Sequence, residues 1–220
     1  MYAISPRTTA TRLRERMSYD TELVHSVLDE AWFCHLSFVV DGEPRVLPTL
    51  HVRIGEVLYV HGSTGSRPLL GATRQGEAGF PVCVAVTLID GLVLARSQFH
   101  HSANYRSVVA HGRATTVTDP AEKSAVLTAL VEKIATGRAA GTRPATAREL
   151  AQTAVLALPL VEVAAKVRNG PVGDDEEEDY GLPHWAGIVP LRQEFGEPQP
   201  DTGVGELPEY LRAAVTGVTA

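Results

Sequence analysis

The sequence predicts a mainly β, α+β domain: an antiparallel barrel with flanking helices. Three observations predict it. About seven short apolar runs, rich in valine, isoleucine and aromatic residues, recur along the chain between turn signals. Two of those turns are Asp-Gly pairs, Asp41-Gly42 and Asp90-Gly91, a strong hairpin signal. Helical stretches opened by aspartate caps are inserted among the strands instead of alternating regularly with them. Antiparallel strands that close on themselves leave no exposed edge, which favours a small barrel. An open α+β sheet with helices on one face is the alternative.

Composition narrows the class. At 220 residues the chain is long enough for one domain with decorations, and 44% hydrophobic with 21% charged residues is ordinary for a packed core. The net charge of -6 comes from one run, residues 174–179; outside it acids and bases are equal. No basic patch suggests nucleic acid, and no run approaches the roughly 18 apolar residues of a membrane span. The first 17 residues carry arginines but no apolar core, so they do not read as a secretory signal, and a cytoplasmic location is expected. Cys34 and Cys83 lie in strand-like runs, as two free thiols in a reducing compartment or, alternatively, one bridge.

The elements follow in order. Residues 1–19 read as an arm, with Arg7, Arg12, Arg14 and Arg16 solvated or paired with a neighbouring subunit. Asp20 caps a helix to about Ala31, with Leu23, Val24, Val27 and Leu28 on one face. Residues 32–40 form a strand, Asp41-Gly42 turns, and residues 44–53 return. Pro48 inside that return strand cannot donate to a ladder, so the strand is interrupted, bulged or at an edge there. Residues 56–61 complete a meander. Residues 81–89 and 92–97 read as a hairpin about Asp90-Gly91. Residues 105–117 are a long strand broken at Gly112. Asp119-Pro120 opens an amphipathic helix. Residues 146–157 read as helical, 158–167 as a last strand, 174–179 as a solvated loop, and 206–215 as a possible final helix.

The stretch 58–70 carries the strongest local chemistry. It reads as a strand ending at His61, a small-residue turn, then Arg67-Pro68 opening a helix to about Gly76. Gly62 and Gly65 allow amides to turn inward, and Ser63, Thr64 and Ser66 add hydroxyl donors. Pro68 suits a first helical position and Arg67 adds charge to the helix start, so an anionic phosphate fits there. An ordinary turn with a surface arginine explains the stretch equally well.

Taken together, the motifs become recognisable. The internal-proline strand RVLPTL, then YVHGSTGSRPLL, then SANYRSVVAHGRA at residues 102–114, and late HWAGIVPL resemble the pyridoxamine 5′-phosphate oxidase-like, FMN-binding split-barrel superfamily. Within it, the chain looks most like the flavin-nucleotide-binding branch that includes the nitroimidazole-resistance reductases. The resemblance spans about residues 10 to 191. It implies an FMN-binding split barrel over residues 20–191, with residues 192–220 a tail. It also implies a homodimer with the flavin at its interface.

On this resemblance Arg67, helped by Ser66, Gly62 and Ser63, would hold the flavin phosphate. Many relatives carry a lysine where Pro68 stands. Leu47, Pro48, Thr49 and Leu50 would face the pyrimidine edge of the ring. Asn104, Tyr105, Arg106 and Ser107 match an NYRS segment that reaches phosphate or ring, and Trp185 matches a tryptophan that covers the site. His61 would lie beside the flavin and donate a proton, since an imidazole titrates near neutrality.

The implied function is an FMN-dependent oxidoreductase acting on a small molecule, with a nicotinamide nucleotide as donor. Oxidation of pyridoxamine phosphate itself fits less well, because only Arg192 follows Arg168 before Arg212 to build a second phosphate site. A flavin- or haem-binding protein without turnover, or a deazaflavin-dependent reductase, are the alternatives. The histidines show no metal-ligand spacing, so no metal site is expected.

Overall fold

A computed structural model describes residues 1–65 and 78–216. The elements run β1 (Met17–Ser18), α1 (Thr21–Glu30), β2 (Phe33–Val40), β3 (Glu43–Ile54), β4 (Val57–Ser63), β5 (Phe80–Leu94) and β6 (Ser102–Thr116). Then come α2 (Pro120–Ile134), α3 (Ala147–Gln152), β7 (Thr153–Pro159), β8 (Glu162–Arg168), β9 (Gly187–Pro190) and α4 (Glu209–Thr216). Ser66, Arg67 and the helix expected after them lie outside the described residues.

The strands close into a barrel, and every pairing is antiparallel. Neighbours run β6-β7-β4-β3-β2-β5, and β5 pairs with β6 to complete the ring. β8 and β1 extend outward from β6, and β9 from β5. The fold is therefore a mainly antiparallel split barrel with flanking helices.

The ring is split because single strands change partners partway. Residues 43–50 of β3 pair with β2, whereas residues 51–54 pair with β4. β4 leaves β3 after the pair His51–Val60 and continues along β7 to Ser63. Over residues 43–50 one edge of β3 has no strand partner among the described residues. Pro48 sits on that stretch, opposite His35 of β2. Its missing N–H costs no ladder bond, so the strand runs through it unbroken.

Two apolar clusters hold the barrel. The inner one contains Leu36, Phe38, Leu58, Val84, Val108, Leu156 and Val163, and α1 plugs it with Val24, Val27 and Leu28. The Asp20 carboxylate accepts from Leu23 N at 2.8 Å and starts that helix. The outer cluster joins Val126 and Leu130 of α2 to Val52, Tyr59 and Val155.

The structure corrects several expected elements. β5 is one strand; Asp90-Gly91 is a bulge, not a turn. A side chain at Gly91 would meet Val189 O of β9 at 3.1 Å. β6 is not broken at Gly112, where an added Cβ would come within 2.7 Å of Leu158 Cδ1. The helix expected over 146–157 stops at Gln152, and β7 takes the remainder. Both thiols are free. The arm lies on the barrel: Tyr2 Oη donates to Glu56 at 2.8 Å, Arg7 pairs with Glu162, and Thr8 is buried. No helix among the described residues is long and apolar enough to cross a membrane.

Candidate functional site

The split brings two of the predicted segments together. Leu50 and His61 are the first residues beyond the last β3–β4 pair. The open edge at Leu47, Pro48, Thr49 and Leu50 therefore faces the departure of His61, Gly62 and Ser63 along β7. Leu47 and Pro48 are exposed; Thr49 and Leu50 are half-buried. A strand edge offers unpaired N–H and C=O groups. Among the described residues Thr49 Oγ1 makes a long 3.4 Å contact to Leu50 O. The Ser63 hydroxyl accepts from Gly65 N at 3.3 Å, which bends the turn back on itself.

His61 stands where β4 parts from β3. Its Nδ1, like that of neighbouring His51, is buried and has no hydrogen-bond partner among the described residues. Burial lowers its pKa below the ordinary histidine value. The ring is therefore neutral at neutral pH and carries one N–H. A neutral ring offers one donor and one acceptor.

The NYRS segment lies elsewhere. It is on β6, with β2 and β5 between it and β3. Asn104 is buried and joined to the end of β8: its Oδ1 accepts from Arg168 and from Gly170 N at 3.2 Å. Arg106 Nη2 donates to Asp90 at 2.7 Å and to Glu30 at 2.8 Å. Those hydrogen bonds to Glu30 and Asp90 raise its pKa further above the guanidinium range. Ser107 Oγ donates to Lys166 O at 3.1 Å. Tyr105 pairs with Ile89 and Arg168 in the sheet. Within this chain, then, Asn104, Arg106 and Ser107 tie elements together. Trp185 is 66% exposed, its ring against Gly187 at the start of β9.

The acidic loop is not a solvated run throughout. The Asp174 side chain is fully buried and accepts Arg96 N at 2.9 Å, Ser97 N at 3.4 Å and Arg96 Nη1 at 3.0 Å. Burial opposes its charge, but the Arg96 and Ser97 donors outweigh it and hold its pKa below the usual carboxylate value. Asp179 is buried as well. Sequence order had hidden these partners, which lie on the segment just after β5.

Among the described residues no group of three or more His, Cys, Asp or Glu side chains could hold a metal ion. Burial pushes the Cys34 thiol up to about 12, so it is not a nucleophile. Two residues that sequence reading passed over sit at the root of the cleft. His51 is completely buried, and its Nε2 lies 3.2 Å from Lys133 Nζ of α2. A signal was present: Val126, Leu130 and Lys133 follow helical spacing, placing a lysine on the apolar face of α2.

Comparison with known proteins agrees with this architecture. The family model described as pyridoxamine 5′-phosphate oxidase matches residues 20–167. A search of curated proteins finds no match. Among solved structures, the flavocytochrome Anf3 from Azotobacter vinelandii is 37% identical, with a TM-score of 0.85 over 94% of this chain and 96% of that one. The FAD and heme binding protein from Mycobacterium smegmatis is 35% identical, with a TM-score of 0.83 over 91% of this chain and 97% of that one. A proposed 5-nitroimidazole antibiotic resistance protein from Bacteroides thetaiotaomicron shares the fold at 18% identity, with a TM-score of 0.57 over 69% and 86% of the two chains. With its split barrel, its open β3 edge and a family match across most of its length, this chain belongs to the pyridoxamine 5′-phosphate oxidase family.

Proposed function

We propose that the protein is a flavin-dependent oxidoreductase that holds its cofactor in the cleft between β3 and β4, at the interface of a homodimer. One observation carries the reading: the buried Nδ1 of His61, without a partner among the described residues, where β4 parts from the edge of β3. A buried polar atom without a partner is costly, and a ligand with a polar ring edge relieves it. The residues fit such a ring. The 47–50 edge supplies backbone donors and acceptors, and neutral His61 supplies one more of each kind. Ser66 and Arg67 are the proposed phosphate anchors.

The resemblance read from sequence implies FMN. The 35%-identical relative is a FAD and heme binding protein, and that favours FAD for this chain. When bound, the flavin supplies the electron or hydride transfer. The chain's own part is to orient the ring, exclude water and hold one proton at His61. A nicotinamide nucleotide is the proposed donor and a small molecule the acceptor.

A second reading is favoured by the likeness to a flavocytochrome across nearly the whole chain: this protein carries a haem as well as a flavin. Purified protein decides between them. A Soret band beside the flavin band marks the flavocytochrome. Mass spectrometry of the extracted cofactor separates FAD, FMN and a deazaflavin. Bleaching by a reduced nicotinamide and recovery in air show turnover. A preparation that is colourless and binds neither added FAD nor FMN overturns the proposal.

A further inference from the structure

Three consecutive residues end α1, and each takes a cation from a different element. The Leu28 carbonyl accepts from Lys133 Nζ of α2 at 2.7 Å. Asp29 accepts from Arg53 Nε of β3 at 3.0 Å, and Glu30 from Arg106 Nη2 of β6 at 2.8 Å. The last carbonyls of a helix lack intrahelical donors and carry partial negative charge, so cations gather there. The two arginine pairs reach half-exposed carboxylates, where water screens them. Lys133 is different, because it is half-buried, in a recess it lines with Trp32, Leu50, Leu130 and Ile134.

The Lys133 ammonium lies at the branch of the barrel. Leu28 O, His51 Nε2 and Lys133 Nζ form a triangle with sides of 2.7, 2.9 and 3.2 Å. His51 belongs to the last β3–β4 pair, so the next residues are Leu50 and His61. The His51 amide also donates to Trp32 O at 3.3 Å, just before β2 begins. One ammonium thus joins α1, α2 and β3 where β3 parts from β4. The other charged or titratable groups facing it are Asp29, Cys34, Arg53 and His51 itself. Among the described residues no carboxylate bonds it directly, since Asp29 is taken by Arg53. A well-packed apolar residue is often as stable or more stable in such a place, so packing alone does not account for a lysine.

We propose that Lys133 is the positioning residue of the cleft: by tying the end of α1 to His51 it fixes where β3 leaves β4, and so holds the 47–50 edge ready for the ligand ring. The identity of that ligand rests on the flavin reading above. Burial lowers the Lys133 pKa to about 8, with Arg53 acting the same way against Asp29 and Cys34. The tie is therefore charged at neutral pH and loses its proton in mildly alkaline solution.

Lys133→Met, Lys133→Arg and the wild type test this together. Each is unfolded in urea, titrated with FAD on either side of about pH 8, and exchanged in deuterated water without flavin at neutral pH. Wild-type affinity is expected to fall as pH rises through that midpoint. Lys133→Met is expected to keep or raise the urea midpoint. It should nevertheless bind FAD at least about tenfold more weakly, with no midpoint near pH 8, and exchange its His51 amide faster. Lys133→Arg should bind tightly across the range. Wild-type affinity and pH profile in Lys133→Met overturn the proposal, as does a loss of affinity matched by an equal loss of stability. If the wild type binds no flavin, the flavin reading fails. Exchange at residues 47–51 then still decides the role of Lys133: equal exchange in wild type and Lys133→Met overturns it.

Discussion

At the scale of single residues, the cleft contains a conflict between stability and binding, and His61 shows it. A buried nitrogen without a partner costs about 1–3 kcal/mol, and Nδ1 of His61 is such an atom. His61→Phe removes the polar atom and keeps a ring of similar size. The expected outcome is a raised urea midpoint together with weakened flavin binding. A variant that loses both, or neither, would make His61 an ordinary packing residue. Asp174 presents the opposite case, a buried carboxylate with every donor in place. Asp174→Ala leaves the Arg96 and Ser97 amides unpaired. It should destabilise the protein by about 2–3 kcal/mol and open residues 175–182 to protease. Unchanged cleavage would show that other contacts hold the loop. Its burial was not legible in a run of six acids, because the partners lie on a segment distant in sequence.

At the scale of elements, what was legible depended on whether the signal was local. The Asp20 and Asp119 caps, the Asp41-Gly42 turn and the strand through Pro48 were readable because neighbours in sequence determine them. Residues 153–157 were misread because Ala154, Leu156 and Ala157 suit a helix following the real Thr146–Glu149 capping box. Pairing with β4, supplied from far away, makes them a strand. Asp90-Gly91 misled for the same reason: Arg106 engages the aspartate and β9 covers the glycine. The α1–β3 junction carries its own prediction. Burial, with Lys133 close by, lowers His51 to about 4, below its ordinary 6.5, despite the opposing Leu28 and Trp32 carbonyls and Asp29. The unfolded chain takes up a proton on His51 near 6.5, and the folded chain does not until about 4. Stability from this group is present above pH 6.5 and is lost as pH falls toward 4. Each unit of difference is worth roughly 1.4 kcal/mol. Urea midpoints measured through that window should fall less steeply in His51→Phe than in wild type.

At the scale of the whole molecule, the open edge adjoins an uncovered apolar face. Side chains alternate along a strand, so Phe33, His35, Ser37 and Val39 share the outer face of β2 while Cys34, Leu36 and Phe38 face the core. Their partners on β3 are Leu50, Pro48, Val46 and Pro44. Phe33, Val39 and Val46 are 58%, 57% and 62% exposed, a concentration of apolar surface that a second copy would cover. The same strand that receives the ligand thus contributes to the proposed dimer face, and the two should fail together. Phe33→Glu with Val46→Glu places two charges on that face without touching the inner core. Sedimentation should show a dimer for wild type and a monomer for the double variant, with the far-ultraviolet circular dichroism of both alike. Flavin affinity should fall in the monomer, because the cleft would be left open on one side. A wild type that sediments as a monomer, or a monomeric variant that binds flavin as tightly as wild type, would show that the cleft is complete within one chain.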